Sequence, residues 1–294
     1  MLTALVRLLS HLPLGLLQKI GSVSGRVVVA IAPGYRRHLI ANLARAGYPT
    51  ASDPDLIGRA AAQAGKGALE LAYVWMRPQA EVLARTRATG WPIVEAARRE
   101  GRGIVFLTPH LGCFEVTAQF YANNDVAGAP LTVLYRPPRK RWLAPLIEGC
   151  RPRENLALAR ADLSGVRRLA RALKRGEAIG MLPDQVPGRG EGVWAHFFAK
   201  PAYTMTLPAR LQKLTGAALL LARGERLADG QGWTVHFSRL DEALSDDPVT
   251  AATQINAALE ILIRSNPEQY LWGYNRYKKP RAAPAPPSGG EAAA

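Results

Sequence analysis

The chain has 294 residues, 48% of them hydrophobic and 7% aromatic, which suffices for one large α/β domain or two small ones with a sizeable core. Its 38 Lys and Arg against 23 Asp and Glu leave a net charge of +15, a surplus that implies a polyanionic partner: nucleic acid, anionic lipid or an acidic protein. Two cysteines, Cys113 and Cys150, set no disulfide framework and suit a reducing compartment.

Residues 1–33 are rich in Leu, Val and Ile, but Arg7, His11, Lys19 and Arg26 interrupt them and Pro13 sits inside. The uncharged window between Arg7 and Lys19 is short of the ~20 residues needed to span a bilayer. There is no basic leader ahead of the apolar stretch, and Ala30-Ile31-Ala32 runs into Pro33, a poor match to a secretory signal. Leu5, Leu8, Leu9, Leu12, Leu16 and Ile20 recur at helical spacing, so the segment reads as an amphipathic, membrane-anchoring helix in preference to a soluble core helix. Residues 34–46 read as a basic helix and 53–75 as a longer one, opened by Ser52-Asp53-Pro54 with capping chemistry.

Alternation follows. Strands are expected at 103–107, 131–135, 178–182, 217–221 and 233–237, and helices at 116–123, 140–150, 165–175, 204–214 and 249–264. This pattern predicts an α/β fold with a mixed, mostly parallel sheet flanked by helices on both faces. The domain plan is an N-terminal membrane-associated helix (1–33), one α/β domain (34–279) and a Pro/Ala/Gly-rich tail (280–294) expected to be disordered.

Chemistry concentrates at Thr108-Pro109-His110-Leu111-Gly112-Cys113-Phe114-Glu115, between the first strong strand and a helix. A carboxylate on one imidazole nitrogen fixes the tautomer and frees the other nitrogen as a general base. Five residues within a helix place side chains roughly 140° to 150° apart, so His110 and Glu115 meet only if His110 stays in the turn. The alternative is a buried histidine and an acid favoured by the helix dipole. Asp184 and Gln185 follow the third strand in Leu182-Pro183-Asp184-Gln185, where open α/β sheets bind ligands; a simple turn is the competing reading. Arg136 begins a cationic run after the second strand and is a candidate anion clamp, better placed than Arg139 or Lys140. The 164–175 helix segregates Arg167, Arg168, Arg171, Lys174 and Arg175 from its apolar side, as a docking face or a solvated surface. No Gly-x-Ser-x-Gly elbow, phosphate loop, dinucleotide fingerprint or metal-ligand spacing is present. An acyl-cysteine route through Cys113 is disfavoured by its apolar neighbours, which raise a thiol pKa.

These residues resemble the lipid A biosynthesis acyltransferases, the lauroyl/myristoyl-type enzymes within the lysophospholipid acyltransferase superfamily. Thr108 to Glu115 match the family's His-x4-Asp/Glu motif, Pro183-Asp184-Gln185 with Val193 to Phe198 its second block, and Pro267-Glu268-Gln269-Tyr270-Leu271-Trp272 through Lys278 its C-terminal signature. The chain carries Cys113-Phe114 where the family commonly has Asn-Trp. The resemblance implies acyl transfer from an acyl-acyl carrier protein thioester to a hydroxyl of a lipid A precursor, at the cytoplasmic face of the inner membrane. His110 would be the base and Glu115 its partner, with Arg136, Asp184 and Gln185 binding substrate. A cation or helix-start amides would hold the oxyanion. No metal or cofactor is implied; the donor is acyl carrier protein or coenzyme A thioester. The expected partners are the carrier protein, the anionic lipid precursor and the membrane surface. Nucleic acid is not among them, because no reader motif accompanies the cations. Relatives acting on another glycolipid, an ornithine lipid or a lysophospholipid share the same base, so the acceptor stays open.

Overall fold

Apolar runs punctuated by glycine and proline dictate the centre of the molecule. A computed structural model describes residues 2–49, 53–123, 129–138, 140–188, 190–240, 242–281 and 283–287. The chain opens with α1 (Leu2–Ser10), α2 (Leu14–Ile31), α3 (Pro33–Arg45) and α4 (Pro54–Met76). A short α5 (Gln79–Ala84) leads to β1 (Thr86–Thr89), α6 (Trp91–Arg99), β2 (Ile104–Leu107), α7 (Phe114–Asn123) and β3 (Leu131–Tyr135). Then come α8 (Ala144–Cys150), β4 (Leu156–Arg160), α9 (Leu163–Lys174), β5 (Ala178–Met181), β6 (Gly192–Phe197) and β7 (Lys200–Met205). The rest is α10 (Leu207–Thr215), β8 (Ala218–Arg226), β9 (Trp233–Arg239) and α11 (Pro248–Ser265).

Seven strands form one sheet in the order β1-β9-β8-β2-β5-β3-β4, parallel throughout except for the β8–β9 pair. Side chains alternate across a strand, and the two cores follow that period. Val105, Leu107, Ile179, Met181, Leu219 and Leu221 face a core shared with α9, α10 and α11. Ile104, Phe106, Ala178, Leu220, Val235 and Phe237 face the other, shared with α6 and α7. The expected mixed, mostly parallel sheet with helices on both faces is thus the observed one.

The expected N-terminal helix is two helices, broken at His11 to Pro13 where the proline lacks an amide donor. One side of α2 lies directly on α4. A Cβ at Gly65 would sit 1.9 Å from the Gly21 carbonyl oxygen, and one at Gly25 would sit 2.0 Å from that of Ala61, so the two backbones touch through small residues. The opposite side shows solvent a stripe of Leu16, Ile20, Val23, Val27 and Ile31, flanked by exposed Lys19 and Arg26. Leu5 and Leu8 of α1 are exposed as well. Among the described residues α2 is the one helix long and apolar enough to cross a membrane.

Under this helix pair lies a buried polar cluster. Glu70 of α4 is fully buried and ion-pairs with Arg226 of β8 at 2.5 Å and 2.8 Å, while Trp233 Nε1 and Gln18 Nε2 donate to the same carboxylate. Gln63 Oε1 accepts a further bond from Arg226 at 2.7 Å. Glu70 and Arg226 thus each have a partner of opposite sign and further hydrogen bonds, the condition under which burial of charge is tolerated.

Several elements differ from expectation. The predicted 204–214 helix starts at Leu207, because Thr204 and Met205 complete β7. The 140–150 helix divides into a 3-10 turn at Arg141–Leu143 and α8. Asp53 caps α4 by accepting from the Leu56 amide; Ser52 lies outside the described residues. In the tail, Ala283 is buried beside Val186 and Tyr203, and Trp194 Nε1 donates to the Pro284 carbonyl; residues 282 and 288–294 lie outside the described part.

Candidate active site

β2 and β5 are parallel neighbours, so their carboxyl ends open side by side. The Thr108 amide continues the ladder by donating to the Met181 carbonyl at 3.0 Å, and Pro109 and Pro183 then end both strands. This brings His110 and Asp184 together although they are far apart in sequence. The turn beyond His110 is clamped by backbone bonds. Gly112 N donates to the Gln269 carbonyl at 3.0 Å, Cys113 N to the Gly224 carbonyl at 2.7 Å, and Leu271 N to the His110 carbonyl at 3.1 Å. Gly112 has φ +59°, and a Cβ there would lie 2.0 Å from the Gly224 oxygen, so glycine is required.

Asp184 grips His110 twice. Its Oδ1 lies 2.8 Å from the ring Nδ1 and its Oδ2 accepts from the His110 backbone amide at 2.8 Å. The carboxylate is 2% exposed. Burial opposes its charge, but the His110 charge, the two hydrogen bonds from His110 and the Arg276 charge outweigh it, holding the carboxyl below the usual aspartate range. An ionised carboxylate only accepts, so Nδ1 carries a proton, and in the neutral imidazole Nε2 then presents its lone pair. Gln185 Nε2 lies 3.0 Å from that Nε2, and the Phe114 ring packs 4.8 Å from the imidazole. Behind the pair, Arg276 is buried and donates at 2.7 Å to the Tyr203 carbonyl and to Thr204 Oγ1.

A carboxyl depressed on folding adds stability above its unfolded pKa, and that stability is lost as pH falls through the folded value. Asp184→Asn should therefore flatten the acid limb of the stability curve below about pH 4, the ordinary aspartate pKa. Urea midpoints of both proteins at pH 6, 4 and 3 test this; parallel acid limbs would contradict it.

Glu115 is paired differently from expectation. Its carboxylate is buried and takes Arg151 Nη2 at 2.6 Å, Arg151 Nε at 3.0 Å and Trp75 Nε1 at 3.2 Å. The clamp on Gly112 and Cys113 turns His110 toward the end of β5, whereas Glu115 in the first turn of α7 faces α4 and the segment after α8. Arg136 is exposed and donates to the Val186 carbonyl at 3.3 Å. Lys140 sits over the Trp142 ring, and Arg139 and Arg189 lie outside the described residues. Cys113 is buried, and burial above all pushes its thiol well above the usual range, which leaves it a poor nucleophile.

A narrow pocket lies between α7 and the sheet face below it. Phe106, Val133, Gly180, Ala222 and Phe237 floor it across five strands, and Thr108 and Phe114 connect it to the His110 turn. Glu115 and Arg151 form its polar wall. Arg151 and Trp75 had no distinguishing sequence signal, one being an arginine among many and the other the end of an ordinary amphipathic helix. His110 and Asp184 each had one: both directly follow a strand and a proline.

Comparisons with known proteins follow the same lines. Residues 1–279 match the family model of the bacterial lipid A biosynthesis acyltransferases. The chain is 30% identical over 216 residues to the lipid A biosynthesis palmitoleoyltransferase of Escherichia coli K12, covering 73% of this chain and 68% of that one. It is 29% identical over 227 residues to the lauroyltransferase of the same strain, covering 75% and 71%. With the myristoyltransferase the identity is 25% over 266 residues, covering 87% and 78%.

Proposed function

Because the chain belongs to the bacterial lipid A biosynthesis acyltransferase family and is an acyltransferase, we propose that it moves a fatty acyl group from an acyl-acyl carrier protein thioester to a hydroxyl of a lipid A precursor. His110 Nε2 takes the proton of the acceptor hydroxyl as that oxygen attacks the thioester carbonyl. Asp184 holds the proton on Nδ1, fixes the ring and offsets the imidazolium charge. The proton then passes to the departing thiolate, and an ester has replaced the thioester. No metal or cofactor enters this route.

The observation that carries this reading is the His110–Asp184 hydrogen bond, set beside an apolar pocket whose lining residue Phe114 packs on the imidazole. The pocket's apolar lining matches the chemistry of an acyl chain, and Thr108 and Phe114 join it to the base. Glu115 serves here by holding Arg151 in the cavity wall, where the guanidinium can meet the charge developing on the carbonyl oxygen. Gln185 yields the imidazole nitrogen to the acceptor hydroxyl and keeps its amide for the substrate, and exposed Arg136 meets an acceptor phosphate. The apolar stripe on α1 and α2 lies in the cytoplasmic leaflet of the inner membrane, with Lys19 and Arg26 at the headgroups.

Transfer of a labelled acyl group from acyl carrier protein to tetraacylated, Kdo-bearing lipid A precursor tests the proposal. Product that depends on His110 supports the donor, acceptor and base together. A folded wild type that acylates a lysophospholipid or ornithine lipid instead would replace the acceptor and leave the base in force.

A further inference from the structure

The outer surface of α9 is a continuous cationic face. Arg167, Arg171 and Lys174 recur at i, i+4 and i+7, with Arg168 and Arg175 beside them, and all five are exposed. No acidic residue occurs between Leu163 and Lys174. Arg175 is taken by Glu177 and Arg168 by the Leu158 carbonyl, but Arg167, Arg171 and Lys174 make no hydrogen bond or ion pair among the described residues. Leu163, 66% exposed, is the one large apolar side chain on this face and stands at its first turn.

The position of the helix matters as much as its charge. α9 follows β4, so its first turn lies at the carboxyl end of the sheet, the end that carries His110. Three strand spacings separate β4 from β2, roughly 14 Å. The inner side of α9, Leu169, Ala172 and Leu173, belongs to one of the two cores. The apolar side chains of α1 pack on the other, across the sheet. α1 and α9 therefore stand on opposite faces of the sheet, while α2 reaches both cores through Leu17 and Val29. A helix built to enter a bilayer also shows an apolar stripe, as α2 does, and α9 shows a single leucine.

We infer that the α9 face is the docking surface for the protein that carries the acyl thioester, a small acidic protein whose carboxylates meet Arg167, Arg171 and Lys174 around Leu163. This rests on the carrier-protein donor proposed above. From this face the prosthetic arm of the carrier reaches along the carboxyl edge of the sheet toward His110. Electrostatic docking of this kind governs encounter rate and is screened by salt.

The experiment compares the full-length wild type with Arg167→Glu/Arg171→Glu in three readouts: KM for acyl carrier protein thioester, rate with a protein-free acyl-pantetheine thioester, and co-sedimentation with anionic phosphatidylglycerol vesicles. The expected result is a KM raised about tenfold or more at low salt and converging with wild type at high salt. The acyl-pantetheine rate and vesicle binding should be unchanged. An unchanged carrier-protein KM would overturn the inference, and loss of vesicle binding instead would make α9 a membrane contact. A wild type that uses acyl-pantetheine but neither binds holo-carrier protein nor uses its thioester would overturn the donor proposal and this inference with it. A Leu163→Ser variant that raises the same KM without altering the acyl-pantetheine rate would support the same face independently of charge.

Discussion

Replacing His110 with alanine should lower kcat for acyl transfer by about 10²–10⁴-fold while the protein stays folded. The rate falls because no other group among the described residues is placed to accept the hydroxyl proton: Asp184 is spent on Nδ1 and the backbone amide, and Glu115 on Arg151 and Trp75. The fold survives because the turn is held through the backbone atoms of residues 110–113, by Gln269, Gly224 and Leu271, and not through the imidazole. Loss of one hydrogen bond to Asp184 should cost on the order of 1–3 kcal/mol, since the carboxylate keeps the His110 amide. Steady-state rates with matched thermal melts check this. A variant that is folded and retains more than a tenth of wild-type kcat would remove His110 as the base.

Glu70→Ala should give the largest loss of stability, about 3–5 kcal/mol. It leaves the Arg226 guanidinium buried with no counter-charge, and it also strands Trp233 Nε1 and Gln18 Nε2. The consequence reaches the active site. The Arg226 amide donates to Gln269 Oε1 and its carbonyl accepts from Gln269 Nε2, while the Gln269 carbonyl receives Gly112 N. The same variant should therefore lose activity before it unfolds. Replacing both partners with methionine should restore part of the stability, because an uncompensated charge costs more than a missing pair. Urea unfolding of the two variants and wild type decides it. A Glu70→Ala protein within 1 kcal/mol of wild type would mean that the pair is not buried in solution.

The sequence made the central strands legible because β2, β3, β5 and β8 carry short apolar runs and β9 alternates apolar with polar residues. The edge strands were not. Thr86–Thr89 is polar and four residues long, and Leu156–Arg160 alternates weakly. The β6–β7 hairpin was hidden by its turn: Phe198 at φ +46° and Ala199 at φ +58° occupy positions that asparagine and glycine usually take. Tertiary contacts hold them there. Phe198 packs against Trp272, lies under Arg264, and its amide donates to Glu260 Oε1 at 2.7 Å. At the site, His110 stood out through its strand–proline–turn setting, and Asp184 and Gln185 through the equivalent setting after β5. That the first pairs with the second was not readable, because strand order, β2 beside β5, is a property of the whole sheet. The spacing of His110 and Glu115 suggested a local pair, and the backbone clamp on Gly112 and Cys113 separates them.

A double-mutant cycle on His110 and Asp184 bears most directly on the base. If Asp184 acts by orienting and charging the imidazole, Asp184→Asn lowers kcat by orders of magnitude on its own. In the His110→Ala background it should then cost almost nothing further, because groups that act as a unit are strongly non-additive. The predicted outcome is a double variant about as slow as His110→Ala alone. Losses that multiply, or an Asp184→Asn protein turning over at the wild-type rate, would contradict the pairing on which this account rests.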